Sequence, residues 1–410
     1  MNQQDTITRL PKTILVGTGV VGRAILQSHA VAGVSVCVTD QDHLSLDEAV
    51  QEVVVIRPDA IVSEVCVDDG NLRLAVLEFE QDAGCDHPTV VIESIAERLE
   101  LKQAFFRDAE RVFGKDAILC SNTSTLQIES IAVGLQRPER LCGMHFFMPV
   151  ERRPAVEVVR SDFSSDHVVK TCEAHVRRLN KWPLVVADRP GFIVNRLLSP
   201  YLNQALLLLT RGVSAERIET AALAYGMPMS PLELIDFIGT RTMLNAGRSF
   251  WQAFPSRMEP SLVVPRLLKK KRFGRATGEG MYDYQNGQRS EALSEVARGI
   301  VAEYSTEPIK VSDGDLVYLL AVPMWIEAAL AYQDGITDNL TDFDLAVEGG
   351  LGYRASPSWW ATIDSLGQHS IAAAIERWSG EFKSMQAPSK LLDSLKTRSA
   401  SQATQEWNED

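Results

Sequence analysis

The first 190 residues alternate short apolar runs with longer stretches of helical periodicity. A strand is predicted at 13–16, a helix from Arg23 to about Ala32, and a second strand at 34–39. Further strands are predicted at 60–66, 89–95, 117–121 and 184–187, and further helices at 98–112 and 166–180. Strands that alternate with helices predict a doubly wound parallel α/β sheet.

The pattern changes after Pro190, where helical periodicity replaces the alternation of strands and helices. It continues to about Ala253, gives way to a basic, glycine-containing linker, and resumes near residue 291. The residues from Gln386 onward are rich in Ser, Lys, Gln and Glu, and we expect a frayed tail there. The predicted domains are 1–188, 189–290, 291–385 and a polar tail at 386–410.

The helical part of the chain contains an internal repeat. Pro200, Ala205 and Gly212 recur as Pro323, Ala328 and Gly335 at a constant offset of 123 residues. The segment from Ile235 to Gly239 recurs, at a slightly larger offset, from Ile363 to Gly367. Chance can produce one such pair, but two in the same order predict two tandem all-α domains that arose by duplication.

Composition narrows the functional classes. The 410 residues are 45% hydrophobic and 23% charged, which is typical of a globular protein of two or three domains. The net charge of −13 repels nucleic acid and anionic membrane, so we expect neither as a partner. The polar segment before Pro11 is unlike a secretory signal, and we expect no apolar stretch long enough to span a membrane. Six scattered cysteines without C-x-x-C pairing indicate reduced thiols in a cytoplasm and no metal site.

A glycine-rich turn follows the first strand and opens the first helix, with the sequence Gly17-Thr18-Gly19-Val20-Val21-Gly22. In this Rossmann-type context the first glycine allows the tight turn, the second lets a pyrophosphate approach the backbone, and the third lets helix and strand pack closely. Asp40 ends the second strand and is placed to accept hydrogen bonds from an adenosine ribose. Its carboxylate would repel a 2′-phosphate, so NAD is predicted rather than NADP. A ligand-free glycine turn and FAD binding are the alternatives.

Three further segments place polar residues where a plain core would have none. Ser124 lies directly after the strand at 117–121, at the edge where open parallel sheets bind ligands. We expect His145 in an apolar turn, and Glu157 lies in an apolar, strand-like run. A buried glutamate requires a partner, and a histidine that it orients is a good proton acceptor. A core histidine at 145 and a surface glutamate on an edge strand are equally open interpretations.

These residues fall within motifs that resemble the L-3-hydroxyacyl-CoA dehydrogenases, and most closely the dehydrogenase portion of the bacterial fatty-acid-oxidation multienzyme α subunit. The matching stretches are Ser-Asn-Thr-Ser-Thr-Leu at 121–126, Gly-Met-His-Phe-Phe at 143–147, Val-Glu-Val-Val at 156–159, Arg-Pro-Gly-Phe-Ile-Val-Asn-Arg-Leu-Leu at 189–198 and Gly-Met-Pro-Met-Ser-Pro-Leu-Glu-Leu at 226–234. The resemblance implies a Rossmann-type domain followed by two tandem all-α domains of the 6-phosphogluconate-dehydrogenase C-terminal-like type. The hydratase half of the multienzyme is expected to be absent, because the chain begins just before the dinucleotide fold.

The resemblance also implies catalytic roles. His145 corresponds to the base that takes the hydroxyl proton, and Glu157 corresponds to its orienting partner. Ser124 and Asn195 correspond to the groups that hold the substrate oxygen. In the second copy of the repeat Tyr318 stands at the position of Asn195, so we expect that copy to be structural.

Cofactor contacts are implied in the same way. Glu97 and Lys102 correspond to an acid and a lysine that line the cofactor cleft, whereas without the resemblance they indicate a solvated helix face. The implied cofactor-binding residues are Gly17, Gly19, Val20, Val21, Gly22, Asp40, Glu97, Lys102 and Ser124.

Several departures from the family pattern concern cofactor and substrate binding rather than the proton acceptor. Met148 stands where the family usually has an asparagine that contacts the nicotinamide. The basic helical excursion after the second strand looks reduced and acidic across 41–60, and the segments at 274–278 and 352–359 also differ. These changes leave the acyl length and the CoA portion open, and a carrier-bound phosphopantetheine is one hypothesis.

The implied function is NAD-dependent oxidation of (S)-3-hydroxyacyl-CoA to 3-oxoacyl-CoA, as in fatty-acid β-oxidation. It implies an acyl-CoA-type substrate, a hydratase or thiolase partner and a cytoplasmic location. Single-copy family members pair their helical domains between subunits, so a tandem copy predicts a monomer with an internal pseudo-dimer, with a homodimer as the alternative. Two other functions stay open: a paralogue that binds a nucleotide or a partner without turnover, and a dehydrogenase of a free or carrier-bound hydroxy acid.

Overall fold

The computed structural model describes residues 11–67, 72–82, 88–354 and 357–407. The chain divides into two compact units, at 1–189 and 190–410, each with its own buried apolar side chains. This break falls next to the expected boundary at residue 188. Subdivision of the second unit at 290 and 385 stays a prediction.

The first unit is built on one sheet. Its strands are β1 (Thr13–Val16), β2 (Val36–Thr39), β3 (Ile61–Val67), β4 (Leu72–Glu78), β5 (Val90–Glu93), β6 (Ile118–Ser121), β7 (Leu141–Phe146), β8 (Ala155–Arg160) and β9 (Trp182–Ala187). Its helices are α1 (Val20–Ala32), α2 (His43–Ile56), α3 (Leu99–Val112), α4 (Ile128–Ile131) and α5 (Asp166–Arg178). The strand order is β3-β4-β2-β1-β5-β6-β7-β8-β9.

The central strands β2, β1, β5, β6 and β7 run parallel. This was predicted for the first four, whereas β7 was not predicted as a strand. Every position of β2, β5, β6 and β7 is buried. Strands of this kind are apolar on both faces because helices cover the sheet on both sides. Leu15, Ile25, Val38 and Leu46 belong to one apolar cluster that joins these strands to α1 and α2. The Rossmann-type α/β class is therefore confirmed.

Both ends of the sheet depart from the all-parallel expectation. At one end β3 and β4 form an antiparallel hairpin next to β2, whereas the sequence predicted a single strand at 60–66. The four residues at 68–71 that separate β3 from β4 are too few for the helical crossover that parallel neighbours need. At the other end β8 runs antiparallel to β7. The apolar pattern therefore predicted β8 as a strand but not its direction.

The second unit is helical, which agrees with the predicted fold class. Its helices are α6 (Val194–Thr210), α7 (Ala215–Tyr225), α8 (Pro231–Ile238), α9 (Thr240–Ala253), α10 (Val263–Lys269), α11 (Glu295–Glu303), α12 (Asp313–Gln333), α13 (Thr341–Leu345), α14 (Trp359–Ser365), α15 (Gln368–Trp378), α16 (Ser389–Leu395) and α17 (Ala400–Trp407), with a π-helical turn at Ala346–Leu351. A small hairpin, β10 (Tyr284–Gln285) and β11 (Gln288–Arg289), lies between α10 and α11 in the chain.

The internal repeat is visible in the fold of the second unit. The long helices α6 and α12 begin the two copies, carry Pro200 and Pro323 in their interiors, and pack against each other. Each is followed by a glycine in the left-handed conformation, Gly212 with φ 83° and Gly335 with φ 68°. These matching features support duplication of one helical domain.

Equivalent aspartates recur further along the two copies. The carboxylate of Asp236 accepts hydrogen bonds from the amides of Met281 and Tyr282 at 2.6 and 2.9 Å. The carboxylate of Asp364 accepts hydrogen bonds from the amide and the hydroxyl of Ser401 at 3.0 and 2.5 Å. Each copy therefore uses an aspartate to hold a later segment of the chain.

The expectation of a frayed tail from residue 386 is wrong as far as the end of α17. Helices α16 and α17 lie there, and Leu391, Leu395 and Ala403 are buried. The indole Nε1 of Trp325 donates to the carbonyl oxygen of Ala400 at 3.3 Å, a contact between α12 and α17. The polar composition of the tail concealed this apolar stripe, because its few apolar residues are spaced three or four apart.

Helix α12 contradicts the expectation that no apolar stretch is long enough to span a membrane. In the described part of the chain, α12 is the one helix that has the length and apolar composition of a membrane span. Within its 18-residue apolar window, however, 72% is buried inside the protein. There it packs against α6, α7 and α15, which is typical of a core helix.

Gly335→Ala is expected to lower the free energy of unfolding by about 1–2 kcal/mol, because a Cβ is strained at this left-handed backbone position. No described atom lies within 4 Å of that Cβ, so the cost is conformational. At Gly212 a Cβ also meets the Cβ of Pro308 at 3.2 Å, so Gly212→Ala should cost more. Chemical denaturation of both variants measures these costs.

Gly299→Ala is the matched control for these variants. Gly299 lies in the interior of α11, again with no described atom within 4 Å of a Cβ. Its replacement by alanine should raise the free energy of unfolding by about 0.4–1 kcal/mol. Equal changes in Gly335→Ala and Gly299→Ala would contradict the left-handed backbone at Gly335.

Candidate active site

The glycine-rich turn between β1 and α1 has the geometry that a dinucleotide loop requires. Gly17 has φ 104°, and a Cβ there would overlap the backbone oxygen of Ser94. A Cβ on Gly22 would overlap the backbone oxygen of Gly17. Around Gly19, by contrast, no described atom lies within 4 Å of a Cβ position. Packing therefore requires the first and third glycines, and the second leaves the open space that a pyrophosphate needs.

Helix α1 begins at this open position. Gly19 is its N-cap residue, and among the described residues no side chain caps the helix. Val20, which is 77% exposed, and Val21 follow in its first turn. Backbone N–H groups and the helix dipole favour a negatively charged group at such a terminus. These residues therefore fit the pyrophosphate of a dinucleotide.

Asp40 lies directly after β2 and is bonded to the glycine turn. Its Oδ2 accepts hydrogen bonds from the amide of Thr18 at 2.6 Å and from the Thr18 hydroxyl at 3.0 Å. Its Oδ1 accepts a hydrogen bond from the amide of Asp42 at 2.8 Å. Partial burial raises the pKa of Asp40, but these hydrogen bonds outweigh it and hold the pKa below its usual value. The charged carboxylate therefore shapes the loop, and its contact with a ribose stays a prediction.

The acidic segment at 41–60 contains helix α2, which is bonded to α1. The guanidinium of Arg23 lies 2.7 Å from the carboxylate of Glu48 and 2.8 Å from that of Glu52. Nε of Arg23 also donates to the carbonyl oxygen of Thr18 at 3.0 Å. The acidic residues of this segment therefore connect α2 to the helix that carries the glycine turn.

His145 and Glu157 lie directly opposite each other on the antiparallel strands β7 and β8. Nδ1 of His145 lies 2.7 Å from Oε2 of Glu157, and the two side chains are 7% and 0% exposed. His145 therefore belongs to a strand and not to the predicted turn, and the interpretation of Glu157 as a surface residue is wrong. A carboxylate that accepts the Nδ1 proton makes Nε2 the basic nitrogen of the neutral imidazole.

Glu97 is bonded to the loop that carries Ser124. Its Oε1 accepts hydrogen bonds from the amides of Ser124 and Thr125, both at 3.0 Å, and from the hydroxyl of Thr123 at 2.7 Å. Burial raises the pKa of Glu97, but the nearby Lys102 and these donors outweigh it, so the pKa lies below its usual value. Glu97 is therefore a charged acceptor that shapes the Ser124 loop.

Lys102 forms a buried ion pair, so the interpretation as a solvated helix face is wrong. Its Nζ lies 2.6 Å from Oε1 of Glu93 and 3.3 Å from Oε2 of Glu97. The side chains of Lys102 and Glu93 are 1% and 0% exposed. Oε2 of Glu93 accepts a hydrogen bond from the hydroxyl of Ser121 at 2.7 Å. The pair therefore connects β5, α3 and the end of β6, after which the Ser124 loop begins.

Two residues that connect these parts were missed by the sequence analysis. Glu93 is a charge at the end of an apolar run, which was the available signal. Asn122 accepts a hydrogen bond on its Oδ1 from the amide of Phe146 at 2.9 Å and donates from Nδ2 to Ser94 at 3.3 Å. Asn122 therefore ties the start of the Ser124 loop to the residue after His145.

Asn195 lies in the first turn of α6, in the second unit. Its carbonyl oxygen accepts a hydrogen bond from the Ser199 hydroxyl at 2.7 Å. The next residue, Arg196, is buried, and its Nε lies 2.6 Å from Oε1 of Glu327. Glu327 belongs to α12, so the second copy of the repeat anchors the segment that carries Asn195.

The structure therefore joins His145 to Glu157 directly and places Ser124 in the same unit. Asn195 belongs to the other unit. The catalytic and cofactor roles of all these residues stay predictions. Among residues 11–67, 72–82, 88–354 and 357–407, no group of three or more His, Cys, Asp or Glu side chains is placed to hold a metal ion.

Two family models match this chain. The NAD binding domain of 3-hydroxyacyl-CoA dehydrogenase matches residues 12–189, and the C-terminal domain of 3-hydroxyacyl-CoA dehydrogenase matches residues 191–284. The chain belongs to the 3-hydroxyacyl-CoA dehydrogenase family. Its first unit is the NAD-binding domain of that family, so the prediction of NAD as the dinucleotide is confirmed.

Individual relatives agree with this family. The chain is 30% identical to the fatty acid oxidation complex subunit alpha of Pseudomonas savastanoi pv. phaseolicola, a match that covers 94% of this chain and 55% of that protein. The chain thus spans about half the length of this curated relative.

Solved structures share the fold. An (S)-3-hydroxybutyryl-CoA dehydrogenase from Ralstonia eutropha is 28% identical, with a TM-score of 0.56 over 67% of this chain and 100% of that chain. A 3-hydroxybutyryl-CoA dehydrogenase from Escherichia coli K12 has a TM-score of 0.71 at 24% identity, over 94% of this chain and 98% of that one.

Lys102→Met is expected to lower the free energy of unfolding by about 3–5 kcal/mol, because it leaves the buried Glu93 carboxylate without its cation. The double variant Glu93→Gln/Lys102→Met removes that charge as well and should recover more than half of the loss. Urea denaturation of the three proteins measures both effects. The control Lys115→Met alters an exposed lysine and should change stability by at most about 0.5 kcal/mol. Equal losses of unfolding free energy in the single and double variants would show that the unpaired Glu93 carboxylate does not cause the instability of Lys102→Met.

Proposed function

We propose that this protein oxidises the 3-hydroxyl group of a 3-hydroxyacyl-CoA thioester to a ketone, with NAD as the acceptor, in a reaction of the fatty-acid β-oxidation type. The observation that supports it is the 2.7 Å contact between Nδ1 of His145 and the buried carboxylate of Glu157. A carboxylate in this position stabilises the imidazolium that forms when Nε2 takes a proton. Membership of the family supports the substrate class.

The chain's own residues handle the proton and the oxygen of this reaction. Nε2 of His145 takes the hydroxyl proton, and the electron pair of the O–H bond forms the second bond of the ketone. NAD, when bound, supplies the acceptor for the hydride that leaves C3. Ser124 and Asn195 donate hydrogen bonds to the substrate oxygen. A positioned base of this kind contributes about 10²–10⁴-fold to the rate.

Glu97 and Lys102 act as positioning residues in this proposal. Glu97 holds the backbone of the Ser124 loop through two amides, and Lys102 holds Glu97. The loop that carries the Ser124 hydroxyl is therefore held in place in advance, and less conformational entropy of the loop is lost when the substrate binds.

The proposal extends to the assembly of the protein. The packing of α6 against α12 pairs the two copies of the helical domain within one chain, which supports a monomer. The relative named as a subunit of a fatty acid oxidation complex supports a partner protein in such a complex. The proposal names a hydratase or thiolase as that partner and the cytoplasm as the location. Light scattering of the purified protein tests the oligomeric state.

The wild-type protein is expected to oxidise NADH when acetoacetyl-CoA is supplied, and His145→Gln should lower kcat by about 10²–10⁴-fold, because it removes the proton-transferring group. The Kd for NADH should change less than about twofold. Absorbance of NADH measures turnover, and a fluorescence titration measures binding. The control His167→Gln alters an exposed histidine and should leave kcat unchanged. Unchanged turnover in His145→Gln would refute its role as the base, and NADH binding without turnover in the wild type would favour a non-catalytic paralogue.

The wild-type protein is expected to prefer NAD to NADP by at least about tenfold in kcat/KM, since a charged Asp40 repels a 2′-phosphate. The low pKa of Asp40 keeps this repulsion through neutral pH. Steady-state rates with the two cofactors at one substrate concentration measure the ratio. A higher kcat/KM with NADP would contradict the role given to Asp40.

A further inference from the structure

The second unit contains an apolar cavity of about 200 Å³. Its wall comes from α6, α9, α10 and the segment between α9 and α10, and it includes Leu206, Met243, Leu244, Met258 and Val264. We propose that this cavity binds the hydrocarbon chain of the acyl thioester and selects its length. This inference rests on the proposed function, because it requires an acyl substrate.

Helix α6 connects the cavity to Asn195, the residue proposed to hold the substrate oxygen. Ser199, Asn203 and Leu206 line the cavity and follow Asn195 at helical spacings of four, four and three residues. They therefore share one face of the helix with Asn195. With a rise of about 1.5 Å per residue, the face from Asn195 to Leu206 is roughly 16 Å long. The cavity thus begins one turn from the proposed oxygen site and continues away from it, as the tail of an acyl chain must.

A polar residue of the cavity wall, Asn203, is hydrogen-bonded to the segment between α9 and α10. Nδ2 of Asn203 donates to the carbonyl oxygen of Glu259 at 2.7 Å. Oδ1 of Asn203 accepts from the amide of Ser261 at 2.8 Å. Both halves of the amide are therefore bonded to the segment that carries Met258 and Leu262. Ser199, Arg248 and Ser261 also line the cavity, but most of its surface is apolar, which suits a hydrocarbon.

Gly247 is the second observation that supports a ligand. It lies in the interior of α9 and lines the cavity. A glycine at such a position costs about 1 kcal/mol relative to alanine. Neither packing nor backbone conformation requires it, since no described atom lies within 4 Å of its Cβ position and Gly247 is not among the glycines with positive φ. We attribute its presence to the room that a bound chain needs.

Large apolar side chains surround the opening of the cavity. Trp251 and Leu262 are 41% and 52% exposed, and both line it. A bound chain would cover them, which offsets the cost of their exposure to water. A cavity of about 200 Å³ has room for several methylene groups, so the predicted substrates have acyl chains longer than four carbons.

Gly247→Leu tests the cavity, because it adds a side chain where the structure leaves open space. The measurement is kcat/KM for 3-oxoacyl-CoA substrates of four and of ten carbons. We expect the ten-carbon to four-carbon ratio to fall by about 10–100-fold, since displaced methylenes lose roughly tenfold for every two removed from an apolar site. Gly247→Ala should lower the ratio less while stabilising α9, which guards against a folding defect in the leucine variant. The matched control Gly299→Leu fills open space in the interior of α11 and should leave the ratio unchanged.

Direct binding separates this inference from the proposed function. Isothermal titration with decanoyl-CoA and acetyl-CoA requires no turnover, and Gly247→Leu should weaken only the binding of decanoyl-CoA. If the wild type binds decanoyl-CoA in this way but oxidises no substrate, the proposed function fails and the cavity assignment holds. If turnover is normal and Gly247→Leu leaves the chain-length ratio unchanged, the cavity assignment is overturned and the function stands. A loss of self-association in Gly247→Leu with an unchanged ratio would identify a second copy of the chain as the occupant and would also overturn it.

Discussion

Burial of charge is the constraint on which the first unit depends. Glu93 and Glu157 lie on β5 and β8 of one sheet, and both carboxylates are fully removed from water. Each is stable there because a basic group lies 2.6 or 2.7 Å away, Lys102 in one case and His145 in the other. The two pairs have different consequences. The first holds the end of β5 and β6, from which the Ser124 loop departs, and the second fixes the orientation of the proposed base, His145.

The second unit applies the same constraint between the copies of its repeat. Glu327 of α12 is buried, and burial raises its pKa despite the two guanidinium groups of Arg196 and Arg257 that lie against it. Both guanidinium groups also lie over the ring of Phe254, at 4.5 and 4.2 Å. The residue next to Asn195 is therefore anchored by the copy of the domain in which Tyr318 stands at the corresponding position. The second copy thus stabilises the segment that carries Asn195 through this buried ion pair.

The features of this protein that depend on local backbone conformation and residue spacing could be predicted from the sequence. The turn from Gly17 to Gly22 and the carboxylate of Asp40 were recognisable, because backbone conformation and spacing restrict the residues allowed there. The pairing of His145 with Glu157 followed from the cost of a buried charge, although strand direction did not. The hairpin of β3 and β4 and the role of Glu93 were missed, since both depend on which strands become neighbours. The helices at 389–407 were missed because their few apolar residues are buried only when they pack against each other and against α12, α14 and α15.

The two aspartates of the repeat, Asp236 and Asp364, have a consequence for how the duplicated domain is completed. The two copies share the acceptor but not its donors: the segment before β10 supplies two amides for Asp236, and Ser401 of α17 supplies an amide and a hydroxyl for Asp364. Unrelated segments of the chain therefore supply the hydrogen bonds that complete the two copies. The two copies are therefore not equivalent. Truncation of the chain before α17 would remove the hydrogen-bond donors of Asp364 in the second copy and would leave the hydrogen bonds of Asp236 in the first copy intact.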